Sequence, residues 1–171
     1  MRWGDAKKER PVLELTPSRS DQALDVASAV LVVLAAAGVA LNWHAIPPLV
    51  PTHFGISGQP DAWGPRWIVA LVPLLALCVH IGLGLVYRYP HSFNYPWKIT
   101  AENAEAQYRL ARSLIAWEKF WVVLMFYYLS QAQVRVATGH IEALSSVLMT
   151  GFIVGLVLSV VVFMVLMHRA R

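Results

Sequence analysis

Long apolar runs dominate this chain and restrict the folds that it can adopt. They extend from Ala23 to Trp43, from Trp67 to Tyr87, from about Leu114 to Val134 and from Leu144 to His168. Crossing the roughly 30 Å hydrocarbon core of a bilayer takes about 20 helical residues. Charged residues make up only 14% of the chain, against roughly 25% in soluble domains. The sequence therefore predicts an all-α integral membrane protein with four transmembrane helices, at 23–43, 67–87, 114–134 and 144–168.

The residues before the first run are polar and mixed in charge. We expect residues 1–22 to form a flexible cytoplasmic tail with one short ordered piece at Val12 to Leu15, and Ser20 or Asp21 to cap the first helix. The first run is longer than the apolar part of a signal peptide, and no cleavage site follows it, so we expect it to remain as a membrane helix. Residues 23–171 are then a single four-helix transmembrane domain.

Basic residues are concentrated in the N-terminal tail, in the segment between the second and third runs, and at the C-terminus. They are Arg2, Lys7, Lys8, Arg10, Arg19, Arg88, Lys98, Arg109, Arg112, Arg169 and Arg171. The first loop carries only Arg66 and the third only Arg135. The positive-inside rule therefore places both termini and the middle loop in the cytoplasm. The net charge of +4 fits anionic membrane lipid, and we expect no nucleic-acid partner.

The loop between the first two runs is dense in proline, glycine and aromatic residues. Residues 46–67 read IPPLVPTHFGISGQPDAWGPRW. Each proline fixes φ and each glycine permits a positive φ, so this composition predicts a series of ordered turns. We expect the loop to cap the helices on the outer side and to serve as a recognition surface. Its candidate recognition residues are Pro51, His53, Phe54, Gly58, Pro60, Asp61, Trp63 and Gly64.

His53 and Asp61 are the most chemically capable side chains of this loop. Imidazole and carboxylate groups bind metal ions, but their spacing fits no standard metal motif. The alternative is structural: Asp61 caps the turn after Pro60, and His53 bonds to loop backbone or to Trp63. A third alternative is direct contact with a peptide, protein or lipid partner.

The middle loop, residues 88–113, combines aromatic and proline residues with a polar segment. Thr100 is placed to cap a helix, and apolar residues then recur at helical spacing. We expect Ala101 to Arg112 to form a cytoplasmic amphipathic interfacial helix that bends into the third span. The alternative is one continuous helix that projects from the membrane. The candidate motif residues of this loop are Asn94, Pro96, Thr100, Asn103 and Gln107.

Two sequence blocks resemble a bacterial membrane-domain family of unknown function. The first block reads PTHFG at 51–55 and GQPDAWG at 58–64, and the second reads FNYP at 93–96, ITAENA at 99–104 and QY at 107–108. The best-known member is the immunity protein for the sporulation-delaying peptide toxin, in which this domain is N-terminal. The resemblance covers roughly Leu41 to Trp117. It implies a membrane role of the immunity or sensing type.

A few polar side chains fall inside the predicted spans. Ionisable groups within a membrane are costly and mark functional sites by default. His80 lies in the second span, where hydrogen bonds within the bundle are the simplest explanation. Glu118 lies near the start of the third span and needs a partner, for which Arg88 or Lys98 is placed on the same side. Lys119 is expected to extend towards the interface.

The fourth span carries small residues at Gly151, Gly155 and Ser159. This spacing places them on one helix face and lets two helix backbones approach closely. Packing within the four-helix bundle explains such a face, and so does contact with a second copy or with another membrane protein.

These features favour a non-enzymatic protein of the bacterial cytoplasmic (inner) membrane. No motif for haem, nucleotide, zinc hydrolysis or a nucleophilic serine is present, so we expect no cofactor and no catalysis. The first hypothesis is a binding, sensing or immunity-type module that uses the outer loop. The alternative is an accessory subunit of a larger membrane complex. A small transporter or membrane hydrolase is the weaker alternative.

Overall fold

The computed structural model describes residues 10–171, and this part of the chain is mostly helical. In chain order its elements are α1 (Arg19–Asn42), β1 (Leu49–Phe54), β2 (Pro60–Pro65), α2 (Leu71–Val86), α3 (Ala104–Ala137) and α4 (Ser146–Arg169). A 3₁₀ turn at Arg66–Ala70 leads directly into α2, and a second one lies at Pro90–Ser92.

Three helical stretches among the described residues are long and apolar enough to cross a membrane: Arg19–Asn42, Arg66–Val86 and Ser146–Arg169. They correspond to the first, second and fourth predicted spans, and they support a membrane protein. The third predicted span lies within α3, which does not meet the same criterion. Its charged and amide side chains lower its mean hydropathy, so the prediction of four spans is supported for three.

The prediction of an all-α protein is wrong for the loop between α1 and α2. Strands β1 and β2 pair there as an antiparallel two-stranded sheet. The ladder runs from Leu49 opposite Pro65 to Phe54 opposite Pro60, with an irregularity on either side of His53. Two short strands with three prolines give no clean alternation of apolar and polar residues, so the sequence pattern does not predict this hairpin.

Helix α3 is continuous from Ala104 to Ala137, so the bend predicted after Arg112 is absent. Sharp helix kinks arise mainly at proline or glycine, and the sequence of α3 has neither. An ion pair between Glu105 and Arg109, with Nη2 and Oε1 3.0 Å apart, supports its first turns. The continuous helix that we considered as the alternative is the one observed.

Helix α3 packs against α1, α2 and α4 and forms the centre of the fold. Small and β-branched side chains lie where α1, α2 and α3 meet: Val32, Ala76 and Val123 are all buried. Short side chains let the helix axes approach closely. Helix α4 contacts the rest of the chain mainly through α3.

The N-terminal segment forms hydrogen bonds with the rest of the fold from Arg10 onwards, within the stretch predicted as a tail with one ordered piece. Arg10 Nη1 donates to the Phe93 carbonyl at 2.6 Å, and the Tyr108 hydroxyl donates to the Pro11 carbonyl at 3.1 Å. The first helix begins at Arg19 and is capped by Ser18, earlier than predicted. The remainder of the predicted tail, residues 1–9, lies outside the described residues.

The two ends of the fold contain different segments. Residues from the N-terminal segment, the middle loop and the end of α4 share one apolar cluster, which includes Leu13, Tyr95 and Met167. The hairpin packs at the opposite end, where Val50 contacts Val134 near the end of α3. The segments predicted to be cytoplasmic are therefore grouped together, away from the hairpin.

Candidate functional site: the hairpin and the cavity beneath it

The hairpin is held on the helix ends by its buried face. Val50 is fully buried and packs with Ile46, Val69 and Val134. Arg66, directly after β2, lies with its guanidinium carbon 4.7 Å from the centroid of the Trp43 ring. Burying these aliphatic side chains stabilises the docked hairpin by roughly 1.5–3 kcal/mol each relative to leaving them exposed.

The hairpin tip is fixed to the loop between α3 and α4. Gly58 has a φ of +83°, a conformation that glycine adopts without steric cost. Its carbonyl accepts a hydrogen bond from the Leu144 N–H at 2.9 Å. A Cβ atom at this position would lie 2.1 Å from the Leu144 carbonyl oxygen. Both the backbone conformation and the close approach therefore require glycine at Gly58.

His53 and Asp61 face each other across the hairpin. His53 Nδ1 lies 2.5 Å from Asp61 Oδ1, and the two side chains are 69% and 51% exposed. The structural alternative that paired His53 with backbone or with Trp63 is therefore wrong about its partner. Among the residues from 10 onwards, no group of three or more His, Cys, Asp or Glu side chains is placed to hold a metal ion.

The other predicted recognition residues separate into two sets. Phe54 and Gly58, together with His53, line a cavity beneath the hairpin. The rest do not line it: Pro51 is buried within β1, and Pro60, Asp61, Trp63 and Gly64 belong to β2. The indole of Trp63 is exposed, as expected of a side chain at a membrane surface.

The cavity beneath the hairpin has a volume of about 450 Å³ and lies between the hairpin, α3 and α4. Apolar side chains such as Ile56, Leu129, Met149 and Ile153 form most of its wall. Its volume falls within the roughly 300–1,000 Å³ typical of ligand pockets.

Gln133 on α3 is the polar feature of this cavity that sequence reasoning missed. Its side chain is 5% exposed, and its Nε2 donates to the Pro51 carbonyl at 2.7 Å. Its Oε1 is buried and has no hydrogen-bond partner among the described residues. An unpartnered buried acceptor is costly, which makes it a marker of function. The sequence signal was available, because Gln133 lies inside the apolar run predicted as the third span.

The middle-loop motif is structural where it contacts the helices. Gln107 is fully buried, accepts a hydrogen bond from Trp97 Nε1 at 3.0 Å and donates to the Met167 carbonyl at 2.8 Å. It therefore joins the middle loop, α3 and the end of α4.

The remaining motif residues shape the turn before α3. The Asn103 side chain accepts from the Thr100 N–H at 2.9 Å and donates to the Lys98 carbonyl at 3.2 Å. The helix cap predicted at Thr100 is thus replaced by this turn, and Asn103 is the residue before α3. Asn94 and Pro96 are exposed.

Glu118 has a different partner from the one predicted. It accepts a hydrogen bond from the Ser159 hydroxyl of α4, rather than pairing with Arg88 or Lys98. The basic residues belong to the middle loop, whereas Ser159 lies directly opposite Glu118 in the contact between α3 and α4. A serine hydroxyl satisfies one carboxyl oxygen without bringing another charge into the bundle.

Lys119 does not extend to the interface as predicted. It is 3% exposed and forms an ion pair with Asp25 of α1. His80 lines a second cavity, which also contains this ion pair, and its Nδ1 is buried without a hydrogen-bond partner among the described residues.

The small-residue face of α4 is used within the chain. A Cβ atom on Gly155 would lie 3.3 Å from the Trp121 ring of α3, and Ser159 bonds to Glu118. Gly151 has no neighbouring atom within 4 Å of such a Cβ. Gly155 and Ser159 therefore pack against α3, while Gly151 faces away from the described chain.

Comparison with known proteins locates the similarity in this region. Residues 30–77 match a family model described as a domain of unknown function, DUF1648. The matched segment runs from the middle of α1 through the whole hairpin into α2. The second sequence block, in the middle loop, lies outside it.

A curated relative from Archaeoglobus fulgidus, described as an uncharacterized protein, is 31% identical over 64 residues. The match covers 33% of this chain and 35% of the relative, so the chain spans about a third of that protein's length. No solved structure matches the chain. The family description and the relative's name state no activity.

Proposed function

We propose that this protein is a non-enzymatic binding or sensing module of the immunity type, which recognises an apolar peptide segment at the hairpin end. The observation that carries the proposal is Gln133, which lines the cavity beneath the hairpin and whose buried Oε1 has no hydrogen-bond partner among the described residues. A ligand that donates one hydrogen bond there would relieve the cost of the buried acceptor.

The chemistry of the cavity favours a peptide over a lipid chain. Its mostly apolar wall accommodates aliphatic or aromatic side chains of a ligand. An acyl chain fills such a space but has no donor for the Gln133 oxygen. A peptide offers both, since each non-proline residue carries a backbone N–H.

The His53–Asp61 pair supplies a polar rim. Both side chains are exposed, and His53 also lines the cavity, so the imidazole is within reach of a bound segment. Polar groups at the rim of an apolar site orient the ligand rather than supply most of the affinity.

We further propose that the hairpin end faces out of the cytoplasm of a bacterial cell, with both termini inside. The distribution of basic residues supports this orientation, because the middle loop and the C-terminus carry most of the arginines and lysines beyond the N-terminal segment. A ligand would then reach the cavity from outside the cytoplasmic membrane.

The test is peptide binding by the protein in lipid nanodiscs. A panel of short, N-acetylated leucine- and phenylalanine-rich peptides is titrated against the original chain, Gln133→Leu and Gln131→Leu. Gln131 is the matched control, because it lies on the same helix but outside the cavity. We expect Gln133→Leu to weaken binding about tenfold, which corresponds to one hydrogen bond. Equal effects of the two substitutions would contradict the proposal.

The alternative of an accessory subunit is favoured by one observation, the surface of α4. This helix is the least covered of the three candidate spans, and apolar residues such as Val147, Val154 and Val161 are exposed along it. Gly151 lies on its open side. If α4 docks on a larger complex, Gly151→Leu dissociates the complex extracted in mild detergent while the isolated chain stays folded. An unchanged complex would remove this face as the contact.

A further inference from the structure

A second cavity, of about 430 Å³, lies at the end of the fold opposite the hairpin, between α1, α2 and α3. It differs from the cavity beneath the hairpin in its charged side chains, since no aspartate, glutamate, lysine or arginine lines the cavity beneath the hairpin. Five charged side chains line it: Asp21, Asp25, Arg88, Arg112 and Lys119.

Both carboxylates of this cavity already have partners. Asp25 is paired with Lys119. Asp21 is buried, and its two carboxylate oxygens accept hydrogen bonds from the Tyr87 and Ser113 hydroxyls, each at 2.9 Å. Burial and the bond to Asp21 raise the pKa of Tyr87 to about 12, so this hydroxyl keeps its proton at physiological pH.

The basic side chains of the cavity, in contrast, do not all have hydrogen-bond partners. Arg112 is 7% exposed, its Nη1 donates to the Leu15 carbonyl at 2.6 Å, and its guanidinium lies over the Tyr87 ring with a 4.2 Å separation. Its Nε–H has no partner among the described residues, and neither does His80 Nδ1 on the same cavity. Arg88 is exposed at the rim.

The charges of the cavity leave one positive charge unbalanced, because three cations face two carboxylates. A phosphodiester carries one negative charge and accepts several hydrogen bonds, and arginine binds such a group in preference to lysine. The unpartnered Nε–H of the buried Arg112 and a net single positive charge therefore match a phosphodiester.

The wall of the cavity on α2 indicates where that phosphodiester comes from. Ile81 and Leu85 line the cavity and are about half exposed on a membrane-spanning helix. The span ends at Val86, so Tyr87 and Arg88 lie at the level where lipid headgroups begin. Basic pockets between membrane helices bind acidic lipid headgroups in this way.

We infer that this cavity binds the phosphodiester headgroup of an anionic membrane phospholipid, with Arg112 and Arg88 as its ligands and an acyl chain along Ile81 and Leu85. The site is separate from the cavity beneath the hairpin and does not depend on the function proposed for it.

The test is lipid binding by the full chain, measured by native mass spectrometry in detergent. Phosphatidylglycerol and phosphatidylcholine of the same acyl chains are the probes, with inorganic phosphate as a third. We expect phosphatidylglycerol to bind about tenfold more tightly than phosphatidylcholine, and inorganic phosphate not to displace it. Equal binding of the two lipids, or displacement by equimolar phosphate, would overturn the assignment.

Two variants locate the site. Arg88→Gln removes an exposed rim charge and is expected to weaken phosphatidylglycerol binding about tenfold without a change in thermal unfolding. Arg112→Lys keeps the charge but loses the Nε–H, and weaker binding is expected again. Arg135→Gln is the matched control at the opposite end and is expected to have no effect. A loss in Arg135→Gln equal to that in Arg88→Gln would show general charge attraction and would overturn the site.

Discussion

Replacing Gly58 with alanine is expected to release the hairpin tip from the loop between α3 and α4. A left-handed backbone costs an L-residue about 1 kcal/mol, and Gly58 has a φ of +83°. The Cβ would also lie 2.1 Å from the Leu144 carbonyl oxygen. The tip must then move and leave the buried Leu144 N–H unpaired, which costs about 2 kcal/mol more. We therefore expect Gly58→Ala to lower the free energy of unfolding by about 3 kcal/mol.

Gly139 offers a matched control for the backbone effect. Its φ is +75°, but a Cβ there would meet no atom within 4 Å. Gly139→Ala is therefore expected to cost only the conformational part, about 1 kcal/mol. The difference between the two variants isolates the contact between the hairpin tip and Leu144.

The assay is thermal unfolding in detergent, followed by tryptophan fluorescence. For a chain of this size, 1 kcal/mol lowers Tm by about 2–4 °C, so we expect a drop of about 6–12 °C for Gly58→Ala and about 2–4 °C for Gly139→Ala. Equal drops would refute the docking of the tip, since the left-handed backbone alone would then explain both.

Two further predictions concern buried polar contacts of the helices. Gln107→Leu removes the partner of Trp97 Nε1 and of the Met167 carbonyl. We expect it to lower the free energy of unfolding by about 2–4 kcal/mol in chemical denaturation. A decrease below about 1 kcal/mol would contradict the view that Gln107 connects the middle loop, α3 and α4. Asp25→Asn leaves the buried Lys119 ammonium without a carboxylate, whereas Lys119→Met leaves only a half-exposed carboxylate. We therefore expect Asp25→Asn to lower the free energy of unfolding by about 3 kcal/mol and Lys119→Met to lower it less. The reverse order in the same assay would be inconsistent with the burial of Lys119.

Composition and length were sufficient to predict the candidate membrane spans. Helices α1 and α4 and the stretch from Arg66 to Val86 are long apolar segments, and length with hydropathy sets their position. The third predicted span, within α3, does not meet this criterion. Glu118 and Lys119 looked like the edge of a span, yet each has a side-chain partner on another helix, which only the packing of the bundle provides.

The candidate site was predicted only in outline. The density of proline and glycine indicated ordered turns, and the structure forms a docked hairpin from them. The pairing of His53 with Asp61 depends on the strand register, which short proline-containing strands do not encode in their polarity pattern. The amide of Gln133 inside an apolar run was visible in the sequence, but its contact was not. Its partner, the Pro51 carbonyl, lies 82 residues away in the chain, and so distant a contact leaves no local pattern.

The packing of the N-terminal segment was predicted only as one short ordered piece at Val12 to Leu15. Leu13 and Leu15 are partly buried and pack against the middle loop and α3, whereas Val12 and Glu14 between and beside them are exposed. This alternation is typical of an extended segment with one buried face, but a stretch so short is indistinguishable by pattern from a solvated tail.

The most direct test of the central claim is protection of the cavity beneath the hairpin by a peptide. Thr150 lines this cavity and is exposed, so Thr150→Cys in a Cys78→Ala background gives a single thiol for labelling with a maleimide in nanodiscs. We expect an apolar peptide to slow labelling, and the same peptide with N-methylated amides to have little effect, because it offers no N–H to Gln133. Equal protection by both peptides, or by neither, would contradict the account.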